Sequence, residues 1–103
     1  MLKLPEGHRE HFDLSSHWVA IHAAAPCPVE VKPAMIDWWG PILQEHYSCT
    51  EAIGITLVNS EQWLAKPGSV GRSGLGVLHI CDEMGQVLAP GEIGARSISN
   101  ARR

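Results

Sequence analysis

The chain has 103 residues, 45% of them hydrophobic and 18% charged, with eight Lys and Arg against eleven Asp and Glu and a formal charge of -3. That length sets a ceiling of one small domain with a modest core, and the scattered basic residues form no stripe able to release counterions, which excludes nucleic acid as a partner. Cys27, Cys49 and Cys81 fit neither a disulfide framework nor a paired-cysteine metal site, and no apolar run reaches signal-peptide length or the roughly 20 residues of a membrane span, so the expectation is a cytoplasmic protein without one.

Residues 1–16 mix charged and aromatic side chains without a sustained period and read as a short helix or loop. From His17, WVAIHAAAP opens with β-favouring residues and is stopped by Pro26 and Pro28, which predicts a buried strand over about 18–22 running into a tight loop. In VEVKPAMIDWWG, Val31, Met35 and Trp38 recur at helical spacing, and Gly40 followed by Pro41 is a stop signal. Pro33 belongs in the first turn of that helix, where its missing N–H would have no partner, so the helix starts at about residue 29 or 30. PILQEHYS reads as a second strand and ITLVN as a third.

SEQWLAKPGSVGRSGLG is punctuated by glycine and proline and reads as a connector. It fits neither phosphate-loop nor dinucleotide glycine patterns, and no helix follows it to supply an N-terminal dipole. GVLHICDEMGQVLAPGEIG places two apolar runs about a DEMG turn, a hairpin with Gly85 at its left-handed position. The class is α/β, or α+β: a βαβ unit with parallel strands followed by a β-hairpin-rich segment. Its divisions are a lead-in (1–16), the βαβ unit (17–60), and a linker with hairpin (61–103).

A right-handed βαβ crossover leaves both strands ending at one edge, where ligands of open α/β sheets bind. That edge brings Ala23, Ala24, Ala25 and Pro26 beside Tyr47, Ser48, Cys49, Thr50 and Glu51. The alanines lack bulk, so a flat group can approach the backbone, while Tyr47, the single tyrosine, offers a ring face. Thr50 and Glu51 stand where they can face a phosphate and its metal. Each feature has a blander reading: a tyrosine at a strand end also serves as core, and Thr-Glu also opens helices. His8, His11, His17 and His22 lack carboxylates at regular spacing and read as surface or strand positions, not metal ligands. No nucleophile elbow is present, no cysteine has a visible catalytic partner, and the four tryptophans read as core.

Taken together and in register, HAAAPCP, VEVKPAMIDWWGP, HYSCTEAIG, EQWLAKPGSVGRSGLG and DEMGQVLAPGEIG resemble the AMP-forming acyl-CoA synthetases of the adenylate-forming superfamily, fatty-acyl-CoA ligases in particular, over about residues 14–94. The resemblance implies an acid–thiol ligase: ATP and a carboxylic acid give an acyl-adenylate and pyrophosphate, and coenzyme A then takes the acyl group and releases AMP. By position, Ala23, Ala24, Ala25 and Pro26 match the family's Gly-Gly-Ala-Pro loop beside the adenine, and Tyr47 matches the tyrosine that stacks on it. Thr50 matches the threonine at the phosphate that leaves as AMP, and Glu51 the glutamate that helps hold Mg2+. Ala25 and Gly54 resemble positions bordering the acyl pocket. Ser48, counted with the nucleotide contacts, stands where the commonest form of the motif has glycine.

The glycine-rich phosphate loop, the ribose-binding aspartate motif and the domain with the catalytic lysine have no counterpart in the sequence, and ARSISNARR leaves the family pattern where another strand is expected. The expectation is therefore a piece of the large N-terminal domain, inactive alone, with cofactors ATP or AMP, Mg2+ and coenzyme A belonging to the complete enzyme. The contrasting expectation is a catalytically dead binding module whose exposed sheet edges favour a homo-oligomer or domain swap.

Overall fold

The βαβ unit anticipated from sequence is the organising element of the computed structural model, which describes residues 1–51 and 53–99. Strand β1 (Ala20–His22) and strand β2 (Leu43–Ser48) are parallel, with Ala20 opposite Leu43 and His22 opposite Glu45. Between them runs helix α2 (Val31–Trp39), and before them the lead-in forms a single helical turn, α1 (Glu6–Arg9). Pro33 occupies the third position of α2, inside the first turn as its missing donor requires. Gly40 ends the helix, donating its N–H to the Ile36 carbonyl at 2.7 Å. The strand begins later than expected, at Ala20, and Trp18, read as core, is 83% exposed.

Strand β3 (Ile55–Asn59) returns antiparallel to β2, setting Tyr47 opposite Thr56 and Glu45 opposite Val58. The segment read as a connector is instead ordered. Asn59 accepts the Gln62 N–H at 2.8 Å while the Gln62 side chain accepts the Asn59 N–H at 3.2 Å, a capping box that opens helix α3 (Ser60–Ala65). After it, strand β4 (Arg72–Leu75) pairs antiparallel with β3 and completes a sheet of order β1-β2-β3-β4. Gly71 leads into β4 at φ 87°, where an added Cβ would strike the Leu57 carbonyl. That glycine is a requirement of strand approach, not loose punctuation.

The expected turn at Asp82–Gly85 forms, with Gly85 at φ 81° and the Asp82 carboxylate accepting the N–H groups of Met84 and Gln86. Its returning arm pairs with strand β5 (Val77–Cys81) only briefly, through the Cys81–Val87 bridge and the Leu88 N–H on the Ile80 carbonyl. The full-length partner of β5 is β6 (Ala95–Ser99), antiparallel from Val77 opposite Ser99 to Cys81 opposite Ala95. The first part of the tail read as leaving the family pattern thus supplies a strand; residues 100–103 lie outside the described residues.

Met35, Ile36 and Leu43 form the buried cluster, with Leu2, Ala20, Val31, Trp38 and Trp39 against it. Strand alternation turns Leu43 and Glu45 toward α2 and α3, while Ile21, Leu57 and Leu75 lie exposed on the opposite face. The molecule is elongated, 53 × 26 × 21 Å, with a radius of gyration of 16.8 Å, against about 13 Å for a compact domain of about 100 residues. Among the described residues, no helix is long and apolar enough to cross a membrane.

Candidate functional site

Because β1 and β2 are parallel, the loop after β1 and the end of β2 meet at one edge. Between them lies a cavity of about 310 Å³. Ala24, Ala25 and Pro26 form one wall, and Tyr47 with Ser48 the facing one. Gly68, Ser69 and Val70 close a third side, and Arg96 reaches in from β6. The last is far away in sequence, brought there by the β5–β6 pairing.

The alanine loop is held in an unusual backbone. Ala24 has φ 72°, a left-handed conformation that costs a residue with a Cβ about 1–2 kcal/mol. The family pattern that this loop resembles has glycine there, the residue for which that conformation is free. Across the cavity the Tyr47 ring is half exposed, and the Arg96 guanidinium carbon stands 4.6 Å from its centroid. The Ser48 hydroxyl donates to the Gly54 carbonyl at 2.9 Å, tying together the ends of the loop that carries Thr50 and Glu51.

The cavity floor is charged but neutralised. Glu45 points inward from β2 and pairs with Lys32 of α2, and the Lys32 ammonium also sits 4.9 Å from the centroid of the buried Trp63 ring. Burial pushes the Cys27 thiol above its usual range, and the Glu45 carboxylate adds to the effect, so Cys27 lines the cavity as a neutral, weakly nucleophilic group.

The cavity therefore unites Ala24, Ala25, Pro26, Tyr47 and Ser48 from the sequence-predicted set. Ala23 precedes them, half-buried; Thr50 and Glu51 lie exposed in the turn after β2, outside the cavity lining. Gly54 is buried beneath Ile98, and an added Cβ would also come within 2.8 Å of the Leu75 carbonyl, so no free space adjoins it. Sequence reading missed Lys32, Glu45, Trp63 and Arg96. A signal existed for the first two: Lys32 lies one turn before Ile36 on the buried stripe of α2, and Glu45 alternates with inward-facing Leu43. The capping box flags α3 and hence Trp63, whereas nothing local flags Arg96.

Among the described residues, no group of three or more His, Cys, Asp or Glu side chains is arranged to hold a metal ion. Glu51 offers a single carboxylate. That suits Mg2+, which is commonly held by one or two carboxylates with substrate phosphates and waters completing its octahedron, and it does not suit a metal held by protein alone.

The backbone is similar to that of an amide bond synthetase variant from Marinactinospora thermotolerans, with a TM-score of 0.77 and 23% identity over 88% of this chain and 19% of that one. The chain thus spans about a fifth of that enzyme's length. The sequence matches the family described as AMP-binding enzyme across residues 1–102, well beyond the five motifs that carried the resemblance. With its βαβ edge, its alanine loop facing a tyrosine, and this match over nearly its whole length, the chain belongs to the AMP-binding enzyme family.

Proposed function

We propose that the chain supplies one wall of the nucleotide site of an AMP-forming acyl-CoA synthetase. The observation that carries this reading is the single cavity shared by the Ala24–Pro26 loop and Tyr47. In the proposed reaction a carboxylate oxygen attacks the α-phosphorus of ATP and pyrophosphate leaves. The thiol of coenzyme A then attacks the acyl carbonyl carbon, and AMP leaves. The adenine lies between Ala23–Pro26 and the Tyr47 ring, with Ser48 at its border, and Thr50 donates to the phosphate that departs as AMP. Glu51 takes up Mg2+ together with the nucleotide phosphates; the ion, when bound, supplies positive charge against the leaving pyrophosphate. Ala25 borders the acyl group, and Gly54 does so once Ile98 withdraws from above it.

The 103 residues alone are expected neither to adenylate nor to form thioesters, because these residues bind and orient a nucleotide without the groups that complete the site in the resembled family. Titration of the chain with AMP and with a non-hydrolysable acyl-adenylate analogue tests the proposal. Binding that disappears in Tyr47→Ala supports it; binding unchanged by that substitution, or no binding, overturns it.

A second reading is favoured by the outer sheet face. Ile21, Leu57 and Leu75 are 68%, 47% and 54% exposed there, and among the described residues β1 and β4 are open edges. Such a surface fits a self-associating module. Sedimentation velocity across a hundredfold concentration range decides it: a monomer throughout sinks that reading.

A further inference from the structure

Arg96 stacks on the ring that the proposed nucleotide would use. Its guanidinium carbon is 4.6 Å from the Tyr47 centroid, and both side chains line the same cavity. The other cation nearby, Lys32, is buried and neutralised by Glu45. Among the described residues, no carboxylate lies in ion-pair reach of Arg96. Among the described residues, the cavity mouth therefore holds one guanidinium without a carboxylate partner, lying on its exposed aromatic face.

Two kinds of planar ligand meet different costs there. An uncharged ring takes the Tyr47 face only by evicting a cation already stacked on it. A ring that carries a phosphate evicts the same cation and then re-engages it, since a planar guanidinium binds phosphate oxygens in pairs. β6 carries Arg96 opposite Ile80 at the rim, where a shift of side-chain torsions moves the charge without moving the strand.

We propose that Arg96 is a self-cap on Tyr47 that makes the site discriminate by phosphate, lying on the ring until a nucleoside monophosphate binds and then transferring to its phosphate. Stacking and charge capture are thereby coupled, and a bare nucleoside is disfavoured. This rests on the reading of Tyr47 as a base platform, deepens it, and assigns a ligand-recognition role to Arg96.

The single tyrosine makes the test direct, because 3-fluorotyrosine incorporated into the 103-residue chain gives one fluorine resonance. The resonance is followed in the parent chain, Arg96→Gln and Arg96→Lys, alone and during titration with adenosine, AMP and inorganic phosphate. Arg96 is exposed, so neither substitution removes core packing. The expected results are a resonance displaced by Arg96→Gln before any ligand is added, and adenosine binding tightened about two- to fivefold by loss of the competing cation. AMP binding weakens about tenfold in the same variant, with part of the preference retained by Arg96→Lys.

A resonance unmoved by Arg96→Gln overturns the cap. Adenosine and AMP affinities changed by the same factor overturn the discrimination while leaving the platform reading intact. A displaced resonance in a chain that binds neither adenosine nor AMP overturns both the platform reading and the discrimination.

Discussion

Lys32 and Glu45 form an ion pair across the α2–β2 interface, with side chains only 1% and 10% exposed. The ammonium is held on its other side by the Trp63 ring. Removing one partner strands the other as a buried charge, which costs far more than the net worth of the pair. Lys32→Met should therefore destabilise the protein by about 3–5 kcal/mol, a large share of the stability available to so small a molecule. Lys32→Met combined with Glu45→Leu should restore most of the loss, since neither charge is then left stranded. Denaturant unfolding of the two single variants and the double variant measures this. A double variant no better than Lys32→Met alone would rule out the stranded charge as the cause.

Ala24 sits at φ 72° where a Cβ is a burden. Ala24→Gly relieves about 1–2 kcal/mol of conformational cost and loses about 0.5–1 kcal/mol through the added freedom of the unfolded chain. A net gain of up to about 1.5 kcal/mol is expected, read as a higher melting temperature. Ala24→Val, with its branched Cβ, should move it the other way. A lower melting temperature for Ala24→Gly would contradict the left-handed backbone.

Gly71 and Gly85 have nearly the same φ, 87° and 81°, but different surroundings. Around Gly85 there is open space; at Gly71 a Cβ meets the Leu57 carbonyl and lies 2.8 Å from the Val58 Cβ. Gly85→Ala should cost only the backbone term of about 1–2 kcal/mol. Gly71→Ala adds a steric conflict that separates β4 from β3, so its loss should exceed that of Gly85→Ala by about 2 kcal/mol or more. Paired chemical denaturation experiments measure the difference, and equal losses would show that backbone conformation alone matters at both positions.

Cys27 and Cys49 differ in burial as well as position: Cys49 is exposed, whereas burial and the Glu45 carboxylate raise the Cys27 thiol above its usual range. A raised value leaves less thiolate at a given pH, so iodoacetamide at pH 8 should modify Cys49 well before Cys27. The same shift has a sign for stability. The unfolded chain ionises Cys27 first, so this contribution is intact at neutral pH, begins to decline in the ordinary thiol range and is lost as pH rises through the raised folded value. Peptide mapping after timed alkylation checks the order, and faster labelling of Cys27 would refute it.

The β1–α2–β2 unit was legible in the sequence because its signals are local. Pro33 requires the first turn, Gly40 with Pro41 stops the helix, and two short β-favouring runs flank it within one crossover length. The juxtaposition of Ala24–Pro26 with Tyr47 follows from the parallel pairing of the two strands in that unit, which a single crossover brings about. Helix α3 was also encoded locally, in Asn59 and Gln62, but the glycines and proline around it masked the signal.

What the sequence by itself determined is the edge: two parallel strands, small residues on one loop and one aromatic ring facing them. Tertiary structure alone decided which charges stand there. Lys32 meets Glu45 only when α2 packs on β2, and Arg96 reaches Tyr47 only when β6 pairs with β5 across an intervening turn and loop. Turns and helix stops depend on backbone conformation a few residues long, whereas these contacts depend on strand partners whose choice is set by what the whole chain can bury.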